Sequence, residues 1–248
     1  GYETGILGKW HLGDNYPYRP EDRGFSHTLW FPSSHVSSIP DFWNNNYFDD
    51  TYIEDGHRKQ FKGFCTDVFF NEAKKWIEEN SNKGKASFTY LATNAPHEPF
   101  YAPEADIIEI EKLMVGKEAI LNMSPKRKEG FIRYLAMIRN IDSNIGKMMR
   151  FLKDEKLLEN TIVLFLTDNG STFGPDYFNA GMRGRKTELY EGGHRVPLFI
   201  HWPDKEMGKP RDINGLAQIQ DILPTLLDLC HVPFADTSFD GMSLSQVL

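Results

Sequence analysis

The sequence places a carboxylate and an amide directly behind an apolar run. Residues 161–170 read TIVLFLTDNG, so Asp168 and Asn169 come shortly after five consecutive apolar residues. Such a run, bounded by turn residues, is typical of a buried strand in a parallel sheet, and ligands of these sheets bind beyond the carboxyl ends of the strands. A carboxylate oxygen beside an amide oxygen suits a hard cation such as Ca²⁺ or Mg²⁺. The alternative is a plain turn, because Asp, Asn and Gly all favour turns.

A lysine and a histidine near the amino end could hold an anion. Residues 4–10 are strand-like but contain Gly5 and Gly8, and glycines in a strand pattern indicate a bulge or a close backbone approach. Lys9 and His11 are two positions apart, so an extended backbone would present both on the same side. A cation and a titratable imidazole in that arrangement could bind an anion. The alternative is a pair of surface side chains at a strand end.

Two more cationic candidates follow predicted strands. His97 comes just after a strand predicted at 86–92 and lies between two prolines, which restrict the backbone on either side of it. The alternative is a structural histidine bound to a backbone carbonyl. Lys186 belongs to a basic, glycine-rich loop at 171–197, which would fit an anion held beside a metal. The alternative for that loop is a flexible surface segment.

Hydrophobic spacing predicts the elements that must position these side chains. Asp55-Gly56 between strand-like residues is typical of a hairpin, and Thr66 is a candidate N-cap. The strand at 86–92, a helix at 125–158 and the strand at 161–166 should form a right-handed strand–helix–strand unit of one parallel sheet. The other predicted elements are a loop at 15–40, strands at 4–10 and 196–202, and helices at 66–80, 103–114 and 219–230.

Composition bounds the class of protein. The chain has 248 residues, 40% of them hydrophobic, and a net charge of −7, so it is globular and carries no basic footprint for nucleic acid. It contains no apolar run of about 18 residues that could span a membrane. Cys65 and Cys230 neither require nor exclude a disulfide. We expect a single domain over residues 1–248, with both ends cut from a longer protein.

Several motifs together resemble the type I sulfatase family of the alkaline phosphatase superfamily. GYETGILGKWHLG at 1–13 is similar to the second signature of that family, and TDNG at 167–170 resembles its calcium-binding pair. RKTELYEGGHRVPLFIHWP at 185–203 resembles its lysine loop and the strand that follows. APH at 95–97 and QDILPTLLD at 220–228 are similar to its substrate-side histidine segment and its late helix. The matches run in the order of the family over nearly the whole chain.

The resemblance implies an α/β fold with a mixed, largely parallel sheet sandwiched between helices, truncated at both ends. It implies a sulfuric ester hydrolase that uses Ca²⁺ and a formylglycine hydrate. The resemblance also assigns the site residues. Lys9 and His11 would lie beside the aldehyde hydrate and the sulfate. His97 and Lys186 would contact the sulfate and the ester oxygen, and Asp168 and Asn169 would bind Ca²⁺.

Two parts of the family's site are absent from this sequence. Formylglycine is made from Cys or Ser in a Cys/Ser-x-Pro-x-Arg motif, whereas Cys65 lies in FCTDV and Cys230 in LCHVP. The adjacent Asp pair that the family supplies to calcium is missing as well. We therefore expect both parts upstream of residue 1. We also expect the chain to be inactive by itself and to bind Ca²⁺ weakly.

Two other functions stay open at this point. One is a phosphodiesterase or phosphonate hydrolase of the same superfamily, whose metals are held by more His and Asp ligands. The other is a non-catalytic domain that binds sulfated glycans. The partner would be a sulfate-ester small molecule or a sulfated glycan, and the resemblance implies a periplasmic, secreted or lysosomal protein. The particular ester, the oligomeric state, and the division of acid and base roles among His11, His97 and Lys186 are left open.

Overall fold

The computed structural model describes residues 1–203, 207, 209–234 and 239–248. Within them the chain divides into two compact units. The first comprises Gly1–Leu158 and Phe165–Leu198, and the second comprises Glu159–Leu164 and Phe199–Leu248. A single domain over residues 1–248 stays a prediction.

The first unit is built on a five-stranded mixed sheet. Its strands are β1 (Glu3–Lys9), β2 (His27–Phe31), β3 (Thr51–Glu54), β4 (His57–Gln60) and β5 (Ser87–Ala92). They are arranged in the order β4-β3-β2-β1-β5. β1 runs parallel to both β2 and β5, whereas β3 is antiparallel to β2 and to β4. Three parallel strands therefore direct their carboxyl ends to one edge of the sheet.

Helices and a second, small sheet complete the chain. The helices are α1 (Cys65–Asn82), α2 (Glu104–Met114), α3 (Glu118–Leu121), α4 (Pro125–Asp154), α5 (Glu191–His194) and α6 (Ile222–Leu229). β6 (Val163–Leu166) and β7 (Leu198–His201) form a two-stranded sheet. A mixed sheet combined with helices confirms the predicted α/β class.

The main core lies on one face of the five-stranded sheet. Leu7 and Leu29 are fully buried there, and burying such a side chain contributes roughly 1.5–3 kcal/mol. The helices α1, α2 and α4 contribute to this core Phe69, Ile110 and Phe131. Because side chains alternate along a strand, the neighbouring positions face the other way. They belong to a smaller cluster of Ile6, Trp10 and Trp30.

A buried polar network ties α1, α2 and α4 together. Asn140 Nδ2 donates to Asp67 Oδ1 at 3.2 Å and to Asp106 Oδ2 at 3.1 Å. Asn144 Nδ2 donates to the same Asp67 oxygen at 2.6 Å, and Arg139 pairs with Asp106. Amide and guanidinium donors thus hold the buried Asp106 carboxylate and the partly buried Asp67 carboxylate, which offsets the cost of removing them from water.

The prediction of a continuous loop at 15–40 is wrong. A 3-10 helix at Pro20–Arg23 and the strand β2 both lie within it. The strand sequence HTLWF is only five residues long and is flanked by several Pro and Ser residues, so the sequence pattern does not identify it as a strand. β2 is a central strand, and its Trp30 and Phe31 are almost fully buried. Short strands between turn-rich segments are therefore difficult to predict from composition.

The predicted strand–helix–strand unit of one sheet is also wrong. β5 belongs to the five-stranded sheet, whereas β6 pairs with β7. All four β6 residues are only partly buried, so this strand lacks the expected burial on both faces. The apolar run predicted a strand correctly, but it carries no information about which neighbour the strand pairs with.

The predicted hairpin is confirmed, and the predicted N-cap is not. Asp55 and Gly56 connect β3 to β4 with φ angles of 47° and 80°, the positive values that a two-residue type I′ turn requires. Thr66 is not an N-cap, because α1 begins at Cys65 and its N-cap residue is Phe64. Cys65 and Thr66 are both fully buried, so packing of the first turn sets this helix start.

The second unit is organised around the start of α6. A 3-10 helix at Ile219–Asp221 leads into this helix, so the predicted helix at 219–230 is only partly α-helical. Asp221 is buried and its carboxylate accepts hydrogen bonds from the backbone of Gln218 at 2.8 Å and of Met242 at 2.9 Å. Its side chain therefore joins the start of the 3-10 helix to the segment at Met242.

Both cysteines are free. Cys65 is fully buried in α1, and Cys230 is partly buried just after α6. Burial raises the pKa of the Cys65 thiol far above its ordinary value. Among the described residues, no helix is long and apolar enough to cross a bilayer.

The buried amide network generates a stability prediction. Replacing Asn140→Ala removes donors to Asp67 and Asp106, so it should lower the free energy of unfolding by about 1–3 kcal/mol. Urea unfolding measures this change. Asn71→Ala, at an exposed position of α1, is the control and should change stability by less than about 0.5 kcal/mol. Equal effects of the two substitutions would contradict the network.

Candidate functional site

The register of the parallel strands gathers chemical groups at one edge of the sheet. Lys9 pairs with Phe31 at the end of β2, and Gly8 pairs with Ala92 at the end of β5. The segments that leave β2 and β5 therefore start beside Lys9. These segments carry His35 and His97, two histidines that are far apart in sequence.

Gly8 allows the strands β1 and β5 to approach closely just before Lys9. Its φ of 117° is in the region that favours glycine, and a Cβ atom there would lie 2.0 Å from the carbonyl oxygen of Ala92. The close backbone approach predicted for this glycine is confirmed. A larger residue would displace the end of β1 and with it Lys9.

Lys9, Asp168 and Lys186 are electrostatically coupled. Lys9 is partly buried, and burial is the main cause that lowers the pKa of its ammonium group. The carboxylate of Asp168 acts against this by raising the Lys9 pKa, and the charge of Lys186 lowers it further. Asp168 also raises the pKa of Tyr90 on β5, after the larger effect of burial. Two lysines and one carboxylate thus lie near the carboxyl ends of the strands.

Two histidine rings stack at the same edge. The ring centroids of His35 and His97 are 5.2 Å apart with an interplanar angle of 15°. Nδ1 of His97 lies 2.6 Å from the carbonyl oxygen of Glu98. A carbonyl can only accept, so Nδ1 carries a proton and Nε2 is the nitrogen available to a ligand. The backbone-carbonyl bond considered for His97 is present, and it leaves one ring nitrogen for chemistry.

His35 is a site residue that sequence reasoning missed. After burial, the groups that lower its pKa are His97, Lys9 and His11, whereas Glu98 raises it. His35 therefore lies among the predicted cationic residues, although β2 before it was treated as loop. The signal was present, because His35 follows its strand at nearly the same distance as His97 follows β5.

Three glycines make close backbone contacts in and next to the lysine loop, the segment 171–197 that contains Lys186 and follows Asp168. The N–H of Gly170 donates to the carbonyl of Gly193 at 2.9 Å, and that of Gly192 donates to Arg183 at 2.8 Å. A Cβ at Gly170 would lie 1.9 Å from the Gly192 carbonyl oxygen, and one at Gly193 would lie 2.1 Å from that of Glu188. These glycines provide close backbone packing, which argues against the alternative of a flexible surface segment.

Charged contacts hold the other side of this loop. Asp176 pairs with Arg185 at 3.0 Å and also with Arg127 at the start of α4. The N–H of Lys186 donates to the carbonyl of Ser171 at 3.3 Å, and Ser171 Oγ accepts from Tyr134 of α4 at 3.2 Å. Lys186 is therefore fixed to both the segment after Asp168 and the longest helix.

The structure brings most of the predicted residues together. Lys9 is coupled to Asp168 and Lys186, and His11 and His97 both act on His35. His11 is exposed just beyond β1, whereas Asn169 is partly buried beside Asp168. Their roles in catalysis or metal binding stay predictions.

The donor set for a metal is only partly supplied. Asp168 and Asn169 offer oxygen donors of the kind Ca²⁺ prefers, but this ion takes about six to eight oxygens. Among the residues described, no group of three or more His, Cys, Asp or Glu side chains could hold a metal. The two residues therefore fit part of a calcium site and need oxygens from elsewhere.

The glycine packing generates a prediction. Gly193→Ala places a methyl group against the carbonyl oxygens of Glu188 and Arg185, which should lower the free energy of unfolding by about 1–3 kcal/mol. Thermal or urea unfolding measures the loss. Gly215→Ala meets no atom within 4 Å and has no unusual φ, so it should be neutral. An unchanged free energy of unfolding for Gly193→Ala would show that the loop backbone can shift to accommodate the methyl group.

The coupling around Lys9 generates a second prediction. Lys186→Met removes a positive neighbour and should raise the Lys9 pKa towards the ordinary 10.5, whereas Asp168→Asn should lower it further. Carbon-13 NMR titration of the lysine side chains, in chelator-treated buffer, measures both shifts. Lys85→Met is the control, because Lys85 is exposed and pairs with Glu3 at the other end of β1. Shifts of the opposite sign would show that Lys186 and Asp168 do not influence the Lys9 pKa in this way.

The sign of the Lys9 shift also predicts how stability depends on pH. With a lowered pKa in the folded chain, Lys9 binds fewer protons there than in the unfolded chain at pH values between the folded pKa and 10.5. Stability contributed by this group should therefore rise with pH across that interval. Lys9→Met should remove the rise in urea unfolding, and Lys85→Met should retain it.

The chain is similar to known proteins of one family. The family model described as "Sulfatase" matches residues 1–232. The chain is 26% identical to the uncharacterized sulfatase YdeN of Escherichia coli K12, over 98% of the chain and 44% of that protein. It is 28% identical to N-acetylgalactosamine-6-sulfatase of Canis lupus familiaris, over 98% of the chain and 46% of that enzyme.

A solved structure gives the same result for the fold. The crystal structure of Ps i-CgsB in complex with k-i-k-neocarrahexaose superposes with a TM-score of 0.78 at 26% identity, covering 98% of this chain and 54% of that one. The chain thus spans about half the length of the proteins it matches. Its family model covers most of its residues, and the chain belongs to the sulfatase family.

Proposed function

We propose that the protein to which this chain belongs hydrolyses sulfate esters. The observation that carries the proposal is the coupling of Lys9 and Lys186 at the carboxyl ends of the strands, beside Asp168. Two ammonium groups near each other suit a ligand that brings negative charge, and a sulfate ester does so. Membership of the sulfatase family supports the same reaction class.

The lysines would act on charge that develops during the reaction. Cleavage of the ester S–O bond moves negative charge onto the leaving oxygen and ends with a sulfate dianion. Cationic groups that are already in place stabilise such charge without having to reorganise. The ion pairs and glycine contacts that fix Lys186 would supply this preorganisation.

His97 is the proposed acid for the leaving alkoxide. Its Nδ1 proton is directed to the Glu98 carbonyl, so a proton on Nε2 can be given to a ligand when the ring is an imidazolium. Lys186 is the alternative donor. His11, which is exposed just beyond the end of β1, would take a proton later as sulfate leaves. These roles are part of the proposal.

Two groups would complete the reaction. Asp168 and Asn169 would hold Ca²⁺, which brings positive charge to the sulfate oxygens. A formylglycine hydrate would supply the attacking hydroxyl, and neither Cys65 nor Cys230 lies in the motif from which it is made. We propose that this motif and the remaining calcium ligands lie upstream of residue 1 in a longer protein. This chain alone would then be inactive.

The proposed substrates are sulfated sugars. One related enzyme is named for N-acetylgalactosamine 6-sulfate, and one similar structure was solved with a neocarrahexaose. Aryl esters are a simpler test substrate with the same bond to break.

Turnover of an aryl sulfate by the full-length protein with Ca²⁺ tests the proposal. Lys186→Met should lower kcat/KM by roughly a hundredfold or more, as expected when a preorganised charge-stabilising group is lost. Lys85→Met, the exposed lysine paired with Glu3, should change it little. Release of phosphate from phosphate diesters but never of sulfate from sulfate esters would favour a phosphodiesterase. Binding of sulfated glycans without turnover, despite a formed aldehyde, would favour a binding domain.

A further inference from the structure

The stacked histidine pair contains one ring that the proposed reaction does not use. His97 presents Nε2 to a ligand, whereas the ring of His35 lies flat against it at 5.2 Å between centroids. Nδ1 of His35 is 3.0 Å from the hydroxyl of Ser34. The His35 ring is thus held by stacking on one side and by a hydrogen bond within its own loop.

The loop that carries His35 is itself fixed. The His35 carbonyl accepts from the N–H of Ser38 at 3.2 Å, and the N–H of Ser37 donates to Asp41 Oδ2 at 2.7 Å. Asn45 continues this framework, donating to Asp41 at 3.0 Å and to the Thr51 carbonyl of β3 at 2.7 Å. Hydrogen bonds therefore connect the loop to β3, so the His35 ring is held in a fixed position against His97.

The surroundings of His35 oppose a positive charge on its ring. Burial has the largest effect in lowering the pKa of His35. The charges of His97, Lys9 and His11 lower this pKa further, whereas Glu98 raises it. A neutral His35 ring therefore suits the stack, because it adds no positive charge beside His97.

We propose that His35 is a positioning residue, whose stacked ring holds the plane in which His97 presents Nε2 to the ester oxygen. This inference rests on the proposed sulfate-ester hydrolysis for its catalytic consequence. Its structural content, that one ring fixes the other, stands independently. His35 would act through His97 and would not itself contact the reacting atoms.

The test compares variants that separate stacking from imidazole chemistry. His35→Phe keeps an aromatic ring against His97 but has no ring nitrogen, whereas His35→Ala removes the ring. His27→Ala is the matched control. His27 also stacks its ring, on Trp76 at 4.6 Å, but it pairs with Gly5 near the opposite end of β1.

Kinetics of the full-length protein on an aryl sulfate provides the first readout. His35→Ala should lower kcat by roughly ten- to a hundredfold, the scale of a misplaced catalytic group, with little change in KM. His35→Phe should restore most of kcat, and His27→Ala should leave it unchanged. A His35→Phe variant as impaired as His35→Ala would overturn positioning by stacking.

Nitrogen-15 NMR of the histidine rings provides the second readout, which needs no turnover. The His97 ring should give one ordered set of signals with a protonated Nδ1 in the unaltered protein and in His35→Phe, and averaged signals in His35→Ala. Unchanged His97 signals in His35→Ala would overturn the inference. If the unaltered protein cleaves no sulfate ester, the proposed function fails, and the NMR comparison still decides the role of His35.

Discussion

Keeping the positive charge of Lys9 in a partly buried position, close enough to feel a second lysine, is the constraint on which this site depends. Lys9 is partly buried near Lys186, and both circumstances make its positive charge less favourable. Asp168 offsets part of this cost. An arrangement of this kind is maintained only if the surrounding chain fixes the backbone on both sides. Under the proposed function, an anion bound near both lysines would offset this cost.

The surrounding structure meets that requirement in two different ways. Lys9 is held by strand register, because β1 is hydrogen-bonded on both edges and approaches β5 closely at Gly8. Lys186 lies in a loop, so it depends on glycine contacts and on the pairing of Asp176 with two arginines. A regular element and an irregular one thus hold the two lysines. The loop is linked to α4 both by the pairing of Asp176 with Arg127 and by the hydrogen bond from Tyr134 to Ser171.

Much of this arrangement was predictable because it depends on local rules. Asp-Gly between strand-like residues specifies a hairpin, and apolar residues at helical spacing specify α1, α2 and α4. The rule that ligands collect beyond the carboxyl ends of strands singles out Asp168, whereas its proximity to Lys9 is implied by the family resemblance.

The parts that were missed depend on non-local information. β2 is too short, and too closely flanked by Pro and Ser, to stand out, so the histidine after it was left unassigned. The pairing of β6 with β7 is set by which edges are free, and an apolar run does not encode that. A glycine-rich composition is compatible with a flexible loop at 171–197, whereas the close carbonyl contacts of Gly192 and Gly193 restrict the chain there. Composition alone cannot distinguish these two uses of glycine.

The two thiols provide a means of observing the units separately. Cys65 is fully buried in the first unit, and the rise in its pKa keeps it in the unreactive thiol form. Cys230 is only partly buried and belongs to the second unit. A maleimide dye applied to the native protein should therefore attach to the second unit alone. Fluorescence from that dye would then report on the surroundings of Cys230 in the second unit.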